Sequence, residues 1–192
     1  MKSFGRYLIG PKTRTSGLHK SKVKNRIELA KYFGKRGFKN GAEIGVWRGR
    51  YSEILCQNIP GLKLICVDIW EKEHVYREAV KRLAQYDTKL IKKPSTEAAK
   101  AVPNESLDFV YIDANHSYKF VKEDVSEWTK KVRKGGIVAG HDYYIFKWSG
   151  ERGVVDAVDE YTKENGYQLL TIGWDKTAPA RDDRVPCWYF SK

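Results

Sequence analysis

The sequence has no apolar run approaching the roughly 20 residues of a membrane-spanning helix. Its N-terminus also lacks the shorter apolar stretch of a signal peptide. These absences give the expectation of a soluble chain with the cytoplasm as its default location. Only 3 cysteines are present, Cys56, Cys66 and Cys187. They are too few and too scattered for a disulfide framework or a zinc cluster. Cys66 falls in an apolar segment and Cys56 in a predicted helix, so both read as small core residues. There is no internal repeat and no low-complexity tract, which excludes solenoids and arrays. The 192 residues suit one domain large enough to bury a core without staples.

Acid is absent from the N-terminus. Residues 1–26 hold Lys2, Arg6, Lys12, Arg14, Lys20, Lys22, Lys24 and Arg26, with no Asp or Glu. Of the 36 basic and 24 acidic residues, 28 basic and all 24 acidic ones lie beyond this stretch, a balance of +4 there against +12 overall. The reading is a basic arm, residues 1–23, before a nearly neutral domain, residues 24–192. Such an arm can be a solvated tail, a grip on an anionic substrate or surface, or a flap over an active site. In a homo-oligomer it can equally cover a partner subunit.

What the sequence does contain is a regular alternation of strand and helix patterns. Val23, Ile27, Ala30 and Phe33 fall at helical spacing. Ala42–Gly45 reads as a strand and Arg50–Asn58 as a helix. Leu62–Val67 is an apolar strand. The next helix, from about His74 to Tyr86, turns Val75, Ala79, Val80 and Leu83 inward. Lys89–Ile91 is a weak strand and Thr96–Ala101 a short helix. Leu107–Ile112 is the strongest strand. Tyr118, Val121, Val125, Trp128 and Val132 mark a long amphipathic helix with Ser117 as its cap. Lys134-Gly-Gly136 turns into the strand Ile137–Ala139, and Val154, Ala157, Val158 and Tyr161 form a last helix. Tyr167–Ile172 and Cys187–Phe190 are strands with no helix between them. The pattern predicts an α/β chain, with a mostly parallel sheet, helices on both faces and an antiparallel strand near the C-terminus. Ligands bind such sheets beyond the carboxyl ends of the strands.

One such end carries Glu43-Ile-Gly45-Val-Trp-Arg-Gly49-Arg-Tyr-Ser52. Gly45 and Gly49 allow a tight turn and close approach to a ligand, and the helix that follows offers unpaired N–H groups. Asp68, at the next strand end, can accept ribose hydroxyls. Glu43 disfavours a pyrophosphate and suits a cofactor carrying ammonium or sulfonium charge. The motif therefore points to S-adenosylmethionine rather than NAD.

Together with Val67-Asp-Ile-Trp70, Tyr111-Ile-Asp-Ala-Asn-His-Ser-Tyr118 and Lys134-Gly-Gly-Ile-Val-Ala-Gly-His-Asp-Tyr143, this motif resembles the class I methyltransferases, over roughly residues 40–145. The branch it is similar to is the small one of macrolide-sugar and catechol O-methyltransferases. The resemblance implies a Rossmann-like fold with a mostly parallel seven-stranded sheet. It implies that Glu43 borders the methionine end of the cofactor, that Gly45 and Gly49 shape the loop, and that Ser52 helps hold the carboxylate. Asp68 would bind ribose, Ile69 and Trp70 would lie against the adenine, with Ser95 near it, and Asp113 would adjoin the cofactor.

The reaction residues fall at the ends of the next strands. Asp113, Asn115 and His116 follow one, His141 and Asp142 the neighbouring one, about 5 Å away in a sheet. Asp113, His141 and Asp142 make a plausible divalent-metal set for magnesium or manganese; alternatively the two aspartates cap loops. In the resembling enzymes acidic or amide residues at these positions bind magnesium, and His141 departs from that pattern. His116 is the general-base candidate, a role its counterpart has in the macrolide-sugar enzymes; it also reads as a surface residue at a helix start. Tyr143, Tyr144, Phe146 and Trp148 form either an aromatic wall or part of the core.

The function expected is O-methylation of a small-molecule or glycan hydroxyl, such as a sugar-containing metabolite or similar polyol. The alternative is an RNA or nucleotide methyltransferase using the basic arm. The near-neutral domain and the absence of an RNA-binding module weigh against that alternative.

Overall fold

The computed structural model describes residues 19–146 and 149–192. Residues 1–18, which make up most of the basic arm, and Trp148 lie outside the described residues. In chain order the elements are β1 (His19–Lys20), α1 (Arg26–Lys35), β2 (Asn40–Ile44), α2 (Arg50–Asn58), β3 (Lys63–Asp68), α3 (Glu73–Leu83), β4 (Thr88–Lys92), α4 (Ser95–Lys100), β5 (Leu107–Ile112), α5 (Tyr118–Lys131), β6 (Val132–Gly140), α6 (Gly153–Glu164), β7 (Leu170–Ile172), a 3-10 turn (Arg181–Arg184) and β8 (Cys187–Ser191).

The strands form one sheet in the order β1-β7-β8-β6-β5-β2-β3-β4. The predicted strands account for seven of them, and the two-residue β1 adds an eighth beside β7. Pairings from β6 through β5, β2 and β3 to β4 are parallel, and β8 runs antiparallel to both β6 and β7. The architecture is the mostly parallel α/β sheet expected from the strand–helix alternation, and it agrees with the Rossmann-like fold that the motif resemblance implies.

Burial on both faces explains the uninterrupted apolar runs of the central strands. Phe109 and Tyr111 of β5 pack towards α1, α2 and α3, among Leu29, Phe33 and Leu55. Leu107, Val110 and Ile112 face α4, α5 and α6, among Val125, Trp128 and Val158. In α3, Val75, Ala79 and Leu83 are buried but Val80 is 43% exposed, correcting its inward assignment. Steps of four from Val75 already fill the stripe, and Val80 lies about 100° round the helix from Ala79. Ser117 does occupy the N-cap of α5, yet its side chain makes no cap bond there. Its hydroxyl donates to Asn115 Oδ1 instead, at 2.7 Å. The Lys134–Gly136 turn is an irregularity inside β6. Leu107 pairs with Val132 and Phe109 with Ile137, and the surplus chain loops out around Gly135.

The strand order reverses between β2 and β5. From there the chain winds outward through β3 and β4 on one side and β6 on the other. A crevice at the carboxyl ends of β2 and β5 follows from this topology.

Candidate active site

Gly45 and Asp113 form the floor of that crevice. The Asp113 N–H donates to the Ile44 carbonyl at 2.7 Å, and the Gly45 N–H to the Val67 carbonyl at 2.8 Å. Gly45 has φ +89°, and Gly49, the N-cap of α2, has φ +74°. Two cavities meet here, both lined by Gly45, Trp47 and Asp113.

The first cavity, about 520 Å³, runs along the strand ends past Asp68 and Ile69 to Pro94, Ser95 and Asp124. Asp68 organises its middle, with one carboxylate oxygen accepting the Trp47 N–H at 2.7 Å and the other the Trp70 N–H at 2.8 Å. Ile69 lines this cavity and is 51% exposed. Trp70 does not line it; its side chain is buried, and its indole N–H donates to the Trp47 carbonyl at 2.7 Å. Ser95 does line the cavity. Its Oγ accepts the Trp128 indole N–H at 2.8 Å, and its hydroxyl hydrogen-bonds Asp124. Burial pushes the Asp124 carboxyl up to about 6.

The second cavity, about 340 Å³, is lined by charged groups that include Arg26, Glu43, Arg50, Asp113, His141 and Asp142. Glu43 is 2% exposed and accepts a hydrogen bond from Ser52. Burial pushes its pKa up to about 8, against the lowering effect of that bond. Ser52 is fully buried behind Glu43 and lines neither cavity.

Asp113, His141 and Asp142 converge at the crevice. Donor atoms of the three lie within 4.8 Å of one another. His141 Nδ1 stands 3.3 Å from Asp142 and 3.6 Å from Asp113. Its Nε2 is 2.8 Å from the Asp182 carbonyl. A carbonyl only accepts, so Nε2 carries the proton and Nδ1 faces the carboxylates. Burial lowers the His141 pKa, but Asp113 and Asp142 outweigh it and bring it to about 8. Burial likewise raises Asp113, and His141, His116 and Arg26 outweigh it and hold the acid below its ordinary value. His116 Nε2 lies 3.0 Å from Asp142 and 3.7 Å from Asp113. The hydrogen bond it donates to Asp113 and the charges of both acids raise its pKa. The predicted aromatic wall divides. Tyr143 is buried and donates to Asp159, Tyr144 lines the second cavity, and Phe146 stands beside His116.

Four contributors were not singled out from sequence. Trp47 borders both cavities with a 59% exposed indole and φ +49°. Arg26 and Arg50 line the second cavity and share the fully buried Asp183. Arg26 Nε donates to Asp183 at 2.9 Å, and Arg50 binds it through two nitrogens at 2.7 and 2.6 Å. Trp47 and Arg50 sat inside the glycine motif. Arg26 was one positive charge among the eight of the N-terminal stretch, and nothing local to Asp183 marked it.

The sequence profile of a methyltransferase domain matches residues 42–143, more than half of the chain. The chain belongs to that methyltransferase family. An uncharacterized protein of Acanthamoeba polyphaga mimivirus is 28% identical over 148 residues, covering 68% of this chain and 65% of that protein. Another, from Sinorhizobium fredii, is 27% identical over 114 residues, 52% of this chain but 12% of that protein. The chain thus spans less than two thirds of either relative. Among solved structures, the O-methyltransferase TomG from Streptomyces achromogenes, in complex with S-adenosylmethionine, superposes with TM-score 0.66 at 16% identity, covering 87% of this chain and 79% of that one. An O-methyltransferase from Bacillus cereus gives 0.64 at 14% identity, covering 87% and 80%. A candidate rRNA methylase from Clostridium thermocellum gives 0.67 at 15% identity, covering 90% and 98%. These likenesses establish the fold. Among the described residues no helix is long and apolar enough to cross a membrane.

Proposed function

We propose that the protein is an S-adenosylmethionine-dependent O-methyltransferase acting on a hydroxyl of a glycan, a sugar-containing metabolite or a similar polyol, in the cytoplasm. The observation that carries this reading is the convergence of Asp113, His141 and Asp142 on the second cavity, with His116 Nε2 3.0 Å from Asp142. The adenosine half of the cofactor fits the first cavity, with Asp68 at the ribose and Ile69 and Ser95 towards the adenine. Trp70 backs that wall through Trp47. Glu43, Gly45 and Gly49 shape the methionine end, and Ser52 acts there through Glu43.

Bound, the cofactor supplies an activated methyl group, and a divalent ion supplies Lewis acidity towards a substrate hydroxyl. The donor set fits such an ion. Two carboxylates and an imidazole with Nδ1 turned towards them suit manganese, and the carboxylates also suit magnesium. Asp113, His141 and Asp142 would hold it. The remaining work is alignment and proton removal. His116, positioned by Asp142, takes the hydroxyl proton, and Asp113 and Asp142 stabilise the imidazolium that results. Phe146, stacked near His116 at a centroid distance of 6.4 Å, offers an apolar face for a sugar ring.

We also retain residues 1–23 as an arm and residues 24–192 as the methyltransferase domain, with β1 tying the end of the arm to the sheet. Calorimetry tests the core of the reading. S-adenosylmethionine should bind, and Asp68→Ala should weaken it by about tenfold or more; absence of binding to the unmodified protein sinks the proposal. Chelation should abolish methyl transfer, with recovery on adding manganese or magnesium; full activity in chelator removes the metal from it. Transfer to RNA rather than to polyol hydroxyls would favour the nucleic-acid reading.

A further inference from the structure

The sheet has a second charged edge, at the amino ends of its strands and away from the crevice. Arg36 and Lys39 stand between α1 and β2, Lys63 opens β3, and Arg133 and Lys134 lie in the irregular turn of β6. Because β8 runs antiparallel to β6, Lys192 at its end reaches the same edge. The acids there are Asp87, Glu105 and Asp108. Two of them are spent. Arg133 Nε donates to Asp108 at 2.7 Å, and Lys192 Nζ stands 3.4 Å from Glu105. Asp87 is then left against Arg36, Lys39, Lys63 and Lys134, all exposed and without an ion-pair partner among the described residues.

The arginines are held in place. Arg36 Nη2 donates to the Gly135 carbonyl at 2.9 Å. Its guanidinium and that of Arg133 lie over the same Phe38 ring, 5.4 and 5.6 Å from the centroid. The N-terminal stretch joins on this side too. β1 runs parallel to β7, and His19 pairs with Leu170, the first residue of β7. The chain therefore enters β1 from the amino edge, and residues 1–18 bring Lys2, Arg6, Lys12 and Arg14 with no acid. We propose that this amino edge, with the arm joined to it, is a docking surface for an anionic lipid membrane. The negative surface potential of such a membrane attracts clustered cations, by roughly fivefold in affinity for each one at the surface. Lipid headgroups move laterally, so they gather under cations in any arrangement. RNA is gripped through exposed aromatic faces as well as through cations. The exposed large aromatics among the described residues, Trp47, Tyr118 and Phe120, all lie at the opposite end of the strands. Docked by this edge, the protein turns its crevice away from the lipid. Docking of this kind is independent of the methyl-transfer reading.

Sedimentation with vesicles tests it on the full chain. Vesicles of equal parts phosphatidylcholine and phosphatidylserine should carry the protein down at low ionic strength and release it in high salt. Vesicles of phosphatidylcholine alone should not. The triple variant Lys39→Gln, Lys63→Gln, Lys134→Gln should bind the mixed vesicles on the order of a hundredfold more weakly. A matched triple at the other end of the strands, Lys72→Gln, Lys119→Gln, Lys176→Gln, removes the same charge and should lose far less. Failure of the unmodified chain to bind the mixed vesicles overturns the proposal. Equal losses in the two triples overturn it as well, since net charge rather than this edge would then carry the binding. A first triple that binds as tightly as the unmodified chain also overturns the docking edge and leaves the arm alone responsible. Binding of a labelled RNA that the first triple loses, with no vesicle binding, gives the edge to nucleic acid instead.

Discussion

A Cβ at Gly45 would stand 2.0 Å from the Asp113 carbonyl oxygen, at a φ of +89° that a side chain resists. Gly45→Ala therefore forces the ends of β2 and β5 apart. The expected loss exceeds about 2 kcal/mol, seen as a lowered melting temperature and as loss of S-adenosylhomocysteine binding. Asp124 gives the opposite sign. Its carboxyl rises from 3.8 to about 6 on folding. The folded state thus holds the proton more tightly, a contribution fully present below pH 4 and lost as pH rises through 6. Asp124→Asn removes that loss while keeping a partner for Ser95. Its melting temperature relative to the unmodified chain should improve between pH 4 and pH 7.5, by the equivalent of up to ~3 kcal/mol; a pH-independent difference contradicts this.

Among elements, the 3-10 turn Arg181–Arg184 does more than join β7 to β8. Its Asp183 bonds Arg26 and Arg50, and its Asp182 carbonyl fixes the imidazole of His141. Burial alone would raise the Asp183 carboxyl, but the two arginines hold it down at about 2. That stabilisation is present above pH 4 and is lost as pH falls through 2. Asp183→Ala at neutral pH leaves two guanidinium groups without their shared acid and should cost about 3–5 kcal/mol, measured by chemical denaturation. Such a clip was illegible in the sequence, because its partners lie 157 and 133 residues away. Strands and helices were legible wherever one stripe or face is apolar, as in β5 and α5. β1 was not, since two polar residues carry no period. The positions of the glycine loop, Asp68, Asp113, His116 and His141–Asp142 along the rim were legible because each lies at or just beyond the carboxyl end of a strand. The misplacement of Ser52 and Trp70 has one cause: a motif fixes a residue's station along the chain but not which way its side chain points.

For the whole molecule, sheet order turns separate motifs into one site. The carboxyl ends of β2, β3, β5 and β6 deliver Glu43, Asp68, Asp113 and His141 to a single rim. The basic arm joins the sheet sooner than its composition suggested, because His19 and Lys20 pair with β7 and Ser21 hydrogen-bonds Tyr189 at 2.8 Å. Removing residues 1–18 deletes Lys2, Arg6, Lys12 and Arg14 and leaves that pairing in place. The shortened chain should bind S-adenosylhomocysteine with unchanged affinity. Salt-dependent RNA binding that the full chain shows and the shortened chain loses would move the proposal towards nucleic acid.

The position of Asp183 also has a consequence in time. During synthesis Arg26 and Arg50 leave the ribosome more than a hundred residues before the carboxylate that reconciles them. Until then Arg26 can turn to Asp113, 3.6 Å away in the finished fold, but Arg50 lacks the acid it binds through two nitrogens. Closure of the second cavity therefore waits on the turn, and a chain interrupted before it would have most of its sheet and no finished site.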